Sequence, residues 1–179
     1  MKNLMYLILL VPVVALSQTT EFGSFKIVNT EIIYQKVFTC DSITMEKLQA
    51  FLSSAQNVSS VSITNGVLTA ELRELVVDYK KFGLTQVATP PIIQTGKFSG
   101  KISAEARDGR YRITVDGLTM KGDIGYKKIP TDEPVTNYSC VNSGTLLSRE
   151  WCKPTMLGVL DKALTDRFTY LAPKLTSEW

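Results

Sequence analysis

Histidine is absent from the 179 residues of this chain. Imidazole is the side chain that changes charge near neutral pH, and it is also a common ligand of zinc. Its absence therefore excludes serine or cysteine nucleophiles activated by imidazole, and zinc sites built on histidine. Chemistry at carboxylate, lysine, tyrosine or lone thiol groups remains open. We expect neither a cofactor nor a metal site.

Cysteine is scarce and occurs only at Cys40, Cys140 and Cys152. An odd number leaves at least one thiol unpaired within the chain. Because Cys140 and Cys152 are close in sequence and flank a turn-rich stretch, we predict a disulfide between them, worth about 3 kcal/mol by loop entropy. Cys40 precedes a predicted helix, where a thiolate can be stabilised, although a buried unreactive thiol is the commoner outcome.

A concentration of charge of one sign is also missing. The 20 basic and 17 acidic residues are interspersed and leave a formal net charge of +3. Proteins that bind nucleic acid usually concentrate basic residues on one face or in one segment. We therefore expect no nucleic-acid partner.

One long hydrophobic run occurs, from Leu4 to Leu16, and Lys2 is the only charge before it. A helix needs about 20 apolar residues to cross a bilayer, so this run is too short for a membrane span. The pattern is typical of a secretory signal peptide over residues 1–17. Small residues at its end predict cleavage between Ser17 and Gln18, and an uncleaved N-terminal anchor is the alternative.

Export places the mature chain, residues 18–179, in the periplasm or outside the cell. The first cysteine after the apolar run is Cys40, too far away for a lipoprotein cysteine. We therefore expect neither a lipid anchor nor a membrane span in the mature chain. Its length is that of one ordinary domain.

The clearest local pattern is the period-two alternation from Lys97 to Asp116, which is interrupted by Asp108 and Gly109. A two-residue loop at these positions predicts a β-hairpin. The predicted apolar pairs are Ala106 with Tyr111, Ala104 with Ile113 and Ile102 with Val115. The predicted polar pairs are Glu105 with Arg112, Ser103 with Thr114 and Lys101 with Asp116. Both faces are matched, so the register is well specified.

A second two-residue turn is predicted at Asn65 and Gly66. The expected pairs of this hairpin are Ile63 with Leu68 and Val61 with Ala70. In its second strand the apolar positions change parity between Leu72 and Leu75. A bulge and burial on both faces are equally consistent with this change.

Residues Glu31 to Phe38 predict a strand, and the helix after it has apolar residues at helical spacing and a cap at Asp41 or Ser42. Those apolar residues are Met45, Leu48, Leu52 and Ala55. A C-terminal helix is predicted over 154–172, with Pro154 in its first turn. The order predicts an α+β fold, β-α-β4-α, with a mainly antiparallel sheet and two helices on one face. Its core spans about 25–120, and an irregular segment with the disulfide covers 121–152.

Two stretches carry a resemblance to a known family. They are Ile33-Tyr34-Gln35-Lys36-Val37-Phe38, before the first helix, and Asp108-Gly109-Arg110-Tyr111-Arg112, at the turn of the best hairpin. With the element order, they resemble the TBP-like Bacteroidota envelope proteins catalogued as domain of unknown function 4468. The resemblance covers about Thr30 to Gly122. It implies export and the TBP-like fold, and no particular reaction.

Two groups of residues are candidates for binding. Arg107 opposite Arg110 forms a like-charge pair that an anion would satisfy, although solvated arginines are the commoner case. Long segments at 80–93 and 121–152 are the second group, because long ordered loops often hold binding sites. Their larger apolar residues line a site or close the end of the core. These residues are Phe82, Leu84, Val87, Ile92, Tyr126, Tyr138 and Trp151.

The leading hypothesis is therefore a non-catalytic exported module that binds an envelope protein or a polar ligand, or has a structural role there. The alternative is a periplasmic hydrolase that uses paired carboxylates, which do acid–base work when their environments separate their pKa values. Asp123, Asp132 and Glu133 are its only clustered carboxylates in the irregular segment.

The export hypothesis predicts where the mature chain begins. Protein recovered from outside the cytoplasm should start at Gln18, because the signal peptidase removes residues 1–17. Intact mass and N-terminal sequencing measure this directly. Recovery of the uncut chain dissolved among cytosolic proteins would contradict it.

Overall fold

The computed structural model of the protein describes residues 19–171. The predicted signal peptide and the cleavage point between Ser17 and Gln18 lie outside the described residues. So does residue 172, the last residue of the predicted C-terminal helix.

Eight strands form one main antiparallel sheet. The strands are β1 (Glu21–Phe22), β2 (Phe25–Val28), β3 (Glu31–Thr39), β4 (Val58–Thr64), β5 (Val67–Val76), β6 (Lys97–Arg107), β7 (Arg110–Asp123) and β8 (Lys128–Pro134). Their order is β1-β2-β3-β7-β6-β5-β4, and β8 pairs with the second half of β7. The long strand β7 therefore contacts three neighbours.

Four helices and a small two-stranded sheet complete the described fold. The helices are α1 (Met45–Ser54), α2 (Pro91–Thr95), α3 (Thr136–Ser139) and α4 (Leu157–Phe168). The small sheet pairs β9 (Cys140–Val141) with β10 (Leu146–Leu147).

The predicted α+β class with a mainly antiparallel sheet is confirmed. The simple β-α-β4-α order is incomplete, since the chain also forms β1, β2, α2 and the elements between β7 and α4. The segment 121–152, predicted to be irregular, contains β8, α3, β9 and β10. Most of these added elements are two to five residues long, and such short pieces show too little periodicity to be recognised. Helix α4, predicted over 154–172, begins at Leu157, because Pro154 lies in a turn ahead of it, and it ends at Phe168, because Thr169 has an extended backbone.

The predicted β6–β7 hairpin is confirmed in every pair, both the apolar and the polar ones. The alternation also gives the predicted burial: Ile102, Ala104 and Ile113 are buried, whereas Lys101 and Glu105 are exposed. Local alternation and cross-strand charge matching thus suffice to set this register.

The β4–β5 hairpin has the predicted turn and the Ile63–Leu68 pair, but the predicted Val61–Ala70 pair is wrong. The register shifts between Ser59 and Ser62 because Ser60 adopts a positive φ of 56° and bulges from the strand.

The parity change in β5 proves to be a bulge as well. The β5–β6 register shifts between Leu72 and Leu75, and Glu74 at this point has a φ of 49°. The first of the two alternatives for this strand is therefore confirmed.

Helix α1 begins later than predicted, because its cap is Thr44 and neither Asp41 nor Ser42. The Thr44 Oγ1 atom accepts a hydrogen bond from the Lys47 backbone N–H at 3.3 Å, which is the geometry of an N-terminal cap. The predicted apolar spacing holds, since Leu48 and Leu52 are fully buried.

Two buried tyrosines tie α4 to the sheet. Tyr111 donates a hydrogen bond from its hydroxyl to the Phe168 carbonyl at 2.8 Å and accepts one from the Tyr170 N–H at 2.8 Å. The Tyr34 hydroxyl lies 3.2 Å from Thr165 Oγ1 of α4. Burial raises the pKa of both tyrosines, so both hydroxyls stay protonated. The end of α4 is thereby fixed over β3 and β7.

Glu74 lies at the β5 bulge and forms ion pairs with two lysines. Its carboxylate accepts hydrogen bonds from Lys97 Nζ at 2.7 Å and from Lys121 Nζ. Its backbone is also held, because the N–H donates to Ser99 Oγ at 3.1 Å and the carbonyl accepts from Asn57 Nδ2 at 3.3 Å. These contacts from four neighbours stabilise a backbone conformation that glutamate rarely adopts.

The hydrogen bonds of Tyr111 to the end of α4 predict that two tyrosine-to-phenylalanine substitutions differ in their effect on stability. Tyr111→Phe should lower the free energy of unfolding by about 1–3 kcal/mol, because a buried carbonyl loses its hydrogen-bond donor. Tyr126→Phe should change it by less than about 0.5 kcal/mol, since Tyr126 is 85% exposed. Urea denaturation measures both, and equal effects would contradict the assigned role of Tyr111.

The Glu74 contacts predict a pH dependence. The hydrogen bonds from Lys121 and Lys97 lower the pKa of Glu74 from 4.5 to about 2. The folded state thus favours the carboxylate, so this contribution to stability is complete above pH 4.5 and is lost as the pH falls towards 2. Urea denaturation at several pH values measures the free energy of unfolding. In Glu74→Gln this free energy should fall less between pH 4.5 and pH 2 than it does in the wild type.

The matched control for Glu74→Gln is Glu31→Gln. It removes an exposed carboxylate that forms no ion pair within residues 19–171. If Glu74→Gln loses as much stability on acidification as the wild type does, the role of Glu74 is contradicted.

Candidate functional site

A cleft of about 380 Å³ lies where α2, the β7–β8 turn, α3 and the segment before α4 meet. Its volume falls in the range of small-ligand sites. The lining residues are Pro90, Ile92, Ile124, Tyr126, Asn137, Tyr138, Glu150, Trp151, Lys153, Thr155 and Met156. We call this the aromatic cleft, because two tyrosines and a tryptophan line it.

The wall formed by α2 depends on two glycines. A Cβ on Gly122 of β7 would lie 2.9 Å from the Gly96 Cα atom, and a Cβ on Gly96 would lie 2.0 Å from the Ile92 carbonyl oxygen. Glycine at position 122 allows the end of α2 to approach β7 this closely, and glycine at position 96 avoids a clash with the Ile92 carbonyl within α2 itself. The approach brings Ile92 to the cleft.

Tyr126 stands at the tip of the β7–β8 turn. The turn is closed by the bond from Ile124 N–H to the Lys127 carbonyl at 3.0 Å, and by the bond from Gly125 N–H to Asp123 Oδ1 at 2.6 Å. The Tyr126 side chain is 85% exposed, which is unusual for a ring of this size. A tight turn thus presents an aromatic ring at the mouth of the cleft.

Trp151 forms the floor and is only 7% exposed. Its backbone N–H donates to the Ser148 carbonyl at 3.1 Å, and its carbonyl accepts from the N–H of Leu157 at 3.1 Å. Leu157 is the first residue of α4 and is fully buried. The docking of α4 therefore also fixes the position of Trp151.

Tyr138 belongs to a charged network at the edge of the cleft. Its hydroxyl donates to Glu133 Oε2 at 2.5 Å and accepts from Lys127 Nζ at 3.2 Å. The Lys127 ammonium also lies 5.8 Å from the centre of the Tyr138 ring. One aromatic wall is thereby held by a carboxylate and an ammonium group.

The protonation states in this network are fixed near neutral pH. The hydrogen bond from Tyr138 lowers the pKa of Glu133, and the same bond raises the pKa of Tyr138. The hydrogen bond to Tyr138 raises the pKa of Lys127 most, and the contact with Glu133 raises it further. The carboxylate, the neutral phenol and the ammonium ion are therefore the stable forms, and none of them exchanges a proton readily at neutral pH.

The structure brings together part of the predicted binding residues. Tyr126 and Trp151 line the aromatic cleft, and so do Ile92 and Tyr138. Phe82 and Leu84 instead pack on the core, and Val87 is 99% exposed.

The two predicted arginines lie elsewhere. Arg107 pairs with Arg110 across the β6–β7 turn, at the end of β7 opposite to Tyr126. Because a strand of this length spans roughly 40 Å, the two arginines lie far from the aromatic cleft. Arg107 Nε contacts Asp108 Oδ2 at 3.0 Å with both side chains largely exposed, so a neighbouring carboxylate already accompanies the arginine.

The three carboxylates of the hydrolase hypothesis do not form one site. Asp123 closes the β7–β8 turn, and Glu133 contacts Tyr138. Asp132 lines a separate polar groove beside Lys121. Within residues 19–171, no group of three or more acidic or cysteine side chains has metal-binding geometry.

The predicted disulfide is not present, because Cys40, Cys140 and Cys152 are all free thiols. Cys140 begins β9 and pairs with Leu147, whereas Cys152 is held in a turn by the Ser148 carbonyl. Burial raises the pKa of Cys140 and Cys152, and the neighbouring Cys140 raises that of Cys152 further. Closeness in sequence therefore did not bring the sulfurs to bonding distance.

Several lining residues were missed in the sequence. Glu150, Lys153 and Thr155 supply the polar groups beside Trp151, and Asn137 lies on α3. Their only sequence signal is their closeness to Trp151 and Tyr138. The Lys127–Tyr138–Glu133 network has no recognisable spacing, because it joins the β7–β8 turn and β8 to a helix of four residues.

Comparison with known proteins gives two structural neighbours. No protein-family model matches the chain, and no curated protein is similar to it in sequence. The first neighbour is a DUF4468 family protein from Bacteroides ovatus, with 11% identity, a TM-score of 0.46, and coverage of 85% of this chain and 94% of that chain.

The second is a TBP-like protein from Parabacteroides distasonis, with 12% identity, a TM-score of 0.44, and coverage of 78% of this chain and 87% of that chain. The two neighbours are described by the family and the fold that the sequence was said to resemble. Over residues 19–171, none of the helices has the length and hydrophobicity that a membrane crossing requires.

Proposed function

We propose that the protein is a non-catalytic binding module of the bacterial cell envelope, and that the aromatic cleft is its binding site. The observation that carries this proposal is the junction of exposed Tyr126 with buried Trp151 in one cleft. The ligand is a polar molecule or a side chain of an envelope protein that also has a flat apolar part.

The surfaces of the cleft favour such a ligand. Aromatic rings provide large apolar contact area with few rotatable bonds, so little conformational entropy is lost on binding. Glu150 and Lys153 supply one charge of each sign, and Asn137 supplies an amide. Apolar walls with a few polar groups are the usual composition of a small-molecule site.

The protonation states favour binding over catalysis. General acid–base catalysis is most efficient with a group whose pKa lies near the working pH. In the network at the edge of this cleft, the pKa values of Glu133, Lys127 and Tyr138 are all displaced away from neutrality. The chain also lacks histidine, which would otherwise supply such a group.

The envelope location rests on the N-terminal pattern, since a short apolar run after a single lysine is typical of an exported protein. A soluble polar ligand or the surface of a neighbouring envelope protein is what such a module meets after export.

Ligand binding should change the fluorescence of Trp151. The chain has two tryptophans, so Trp179→Phe leaves Trp151 as the only indole. Titration of this variant with fractionated soluble envelope material should shift the emission in at least one fraction. Tyr126→Ala should weaken that response by about tenfold, the usual cost of removing an aromatic anchor.

Val87→Ala is the matched control, because Val87 is 99% exposed and does not line the cleft. It should leave the fluorescence response unchanged. Equal responses in Tyr126→Ala and Val87→Ala, or no response in any fraction, would contradict a binding role for the aromatic cleft.

A further inference from the structure

Two pairs of opposite charges lie at the aromatic cleft. Lys127 and Glu133 form the first pair, in the network at the edge of the cleft. Glu150 and Lys153 form the second pair, and both of them line the cleft. Each pair consists of one carboxylate and one ammonium group, so together they give the cleft no net charge. The two pairs differ in whether the chain itself already satisfies their charges.

The first pair is satisfied within the chain. Lys127 Nζ lies 3.4 Å from Glu133 Oε1, and the Tyr138 hydroxyl is hydrogen-bonded to both side chains. Opposite charges at this cleft therefore do pair with one another where the chain brings them within reach. These three side chains need no contact from a ligand.

The second pair is not satisfied. Among residues 19–171, neither Glu150 nor Lys153 forms an ion pair with the other or with any further residue. The chain turns sharply between them, because the Lys153 N–H donates to the Trp151 carbonyl at 2.8 Å. The Lys153 carbonyl is also held, since it accepts from the Gly158 N–H at 3.1 Å. The backbone thus fixes two opposite charges beside the tryptophan without joining their side chains.

The remaining lining residues complete a site of defined composition. Asn137 and Thr155 supply an amide and a hydroxyl, and Tyr126 and Trp151 supply flat apolar surface. The cleft volume of about 380 Å³ corresponds to about a dozen water molecules in the liquid. A fitting ligand is therefore small, and it combines a cation, an anion and a flat apolar group.

We infer that the aromatic cleft binds a free aromatic α-amino acid in its zwitterionic form, an inference that rests on the proposed function. Such a molecule carries its ammonium and carboxylate groups on one carbon atom, with the ring one carbon away. Glu150 accepts hydrogen bonds from the ammonium group, and Lys153 donates to the carboxylate. The ring contacts Tyr126 and Trp151, so every group of the ligand has a complementary group in the cleft.

Other small ligands use fewer of these groups. A neutral sugar uses the rings and the amide but neither charge. An aromatic amine leaves Lys153 without an anion, and an aromatic acid leaves Glu150 without a cation. An aromatic residue inside a peptide chain has neither charge on its backbone. At an exposed rim, each charge contact contributes up to about fivefold in affinity, which is enough to rank these ligands.

A series of four compounds tests the inference. In Trp179→Phe, phenylalanine should change the emission of Trp151, with a dissociation constant between about 10 µM and 1 mM for a ligand of this size. Phenylpropionate lacks the ammonium group and phenethylamine lacks the carboxylate, so each should bind about fivefold more weakly. The amide of N-acetylphenylalanine lacks both charges and should bind more weakly still. Isothermal titration calorimetry measures the same affinities without the fluorescent probe.

Two substitutions assign each charge to its partner. Glu150→Gln should weaken binding of phenylalanine and phenethylamine about fivefold and leave phenylpropionate unchanged. Lys153→Gln should weaken binding of phenylalanine and phenylpropionate and leave phenethylamine unchanged. Arg149→Gln is the matched control, since Arg149 is an exposed cation of the same segment that does not line the cleft. It should leave all four affinities unchanged.

The outcomes separate this inference from the proposed function. No binding of phenylalanine, or equal affinity for all four compounds, overturns the assignment of a zwitterion. If envelope material still shifts the Trp151 emission in that case, the proposed binding role stands without it. If neither phenylalanine nor envelope material gives a response, both are wrong. Should a variant fail to fold, as judged by circular dichroism, the compound series on the chain with Glu150 and Lys153 intact still decides the question.

Discussion

The attachment of α4 to the sheet is the interaction on which the rest of the structure depends. Tyr34 and Tyr111 are almost completely buried, and each directs its hydroxyl to the C-terminal half of α4. A buried phenol without a hydrogen bond would be costly, so these contacts fix both the position and the rotation of the helix. Phe168 packs in the same cluster, and Tyr170 contacts Phe51 of α1 at 5.5 Å between ring centres.

The aromatic cleft follows from this attachment. Trp151 is bonded through its carbonyl to the first residue of α4, so the floor of the cleft moves only if the helix moves. The opposite wall is held by β7, through the close approach of Gly96 and Gly122 and through the turn that carries Tyr126. A rigid floor and a rigid wall reduce the entropy that a ligand must lose on binding.

The same sheet is bent by a series of register shifts. They occur between β4 and β5, β5 and β6, β6 and β7, and β7 and β8. Bulges increase local twist, so the shifts curve the sheet around the core. Glu74 and its two lysines stabilise the shift in β5 from the polar face. Curvature is thus supported by charge pairing on one face and by burial of apolar side chains on the other.

The sequence by itself determined the features that depend on near neighbours. The β6–β7 register was predictable from the turn to the pair of Lys101 with Asp116, since alternation and cross-strand charges lie on both sides of one turn. The bulge near Leu72 also left a visible change of parity. Only the tertiary structure decided the cap at Thr44, the separation of the Cys140 and Cys152 sulfurs, and the meeting of Tyr126 with Trp151. Each of these depends on where a loop leaves one element and docks on another, and such docking is set by packing between segments that no local pattern records.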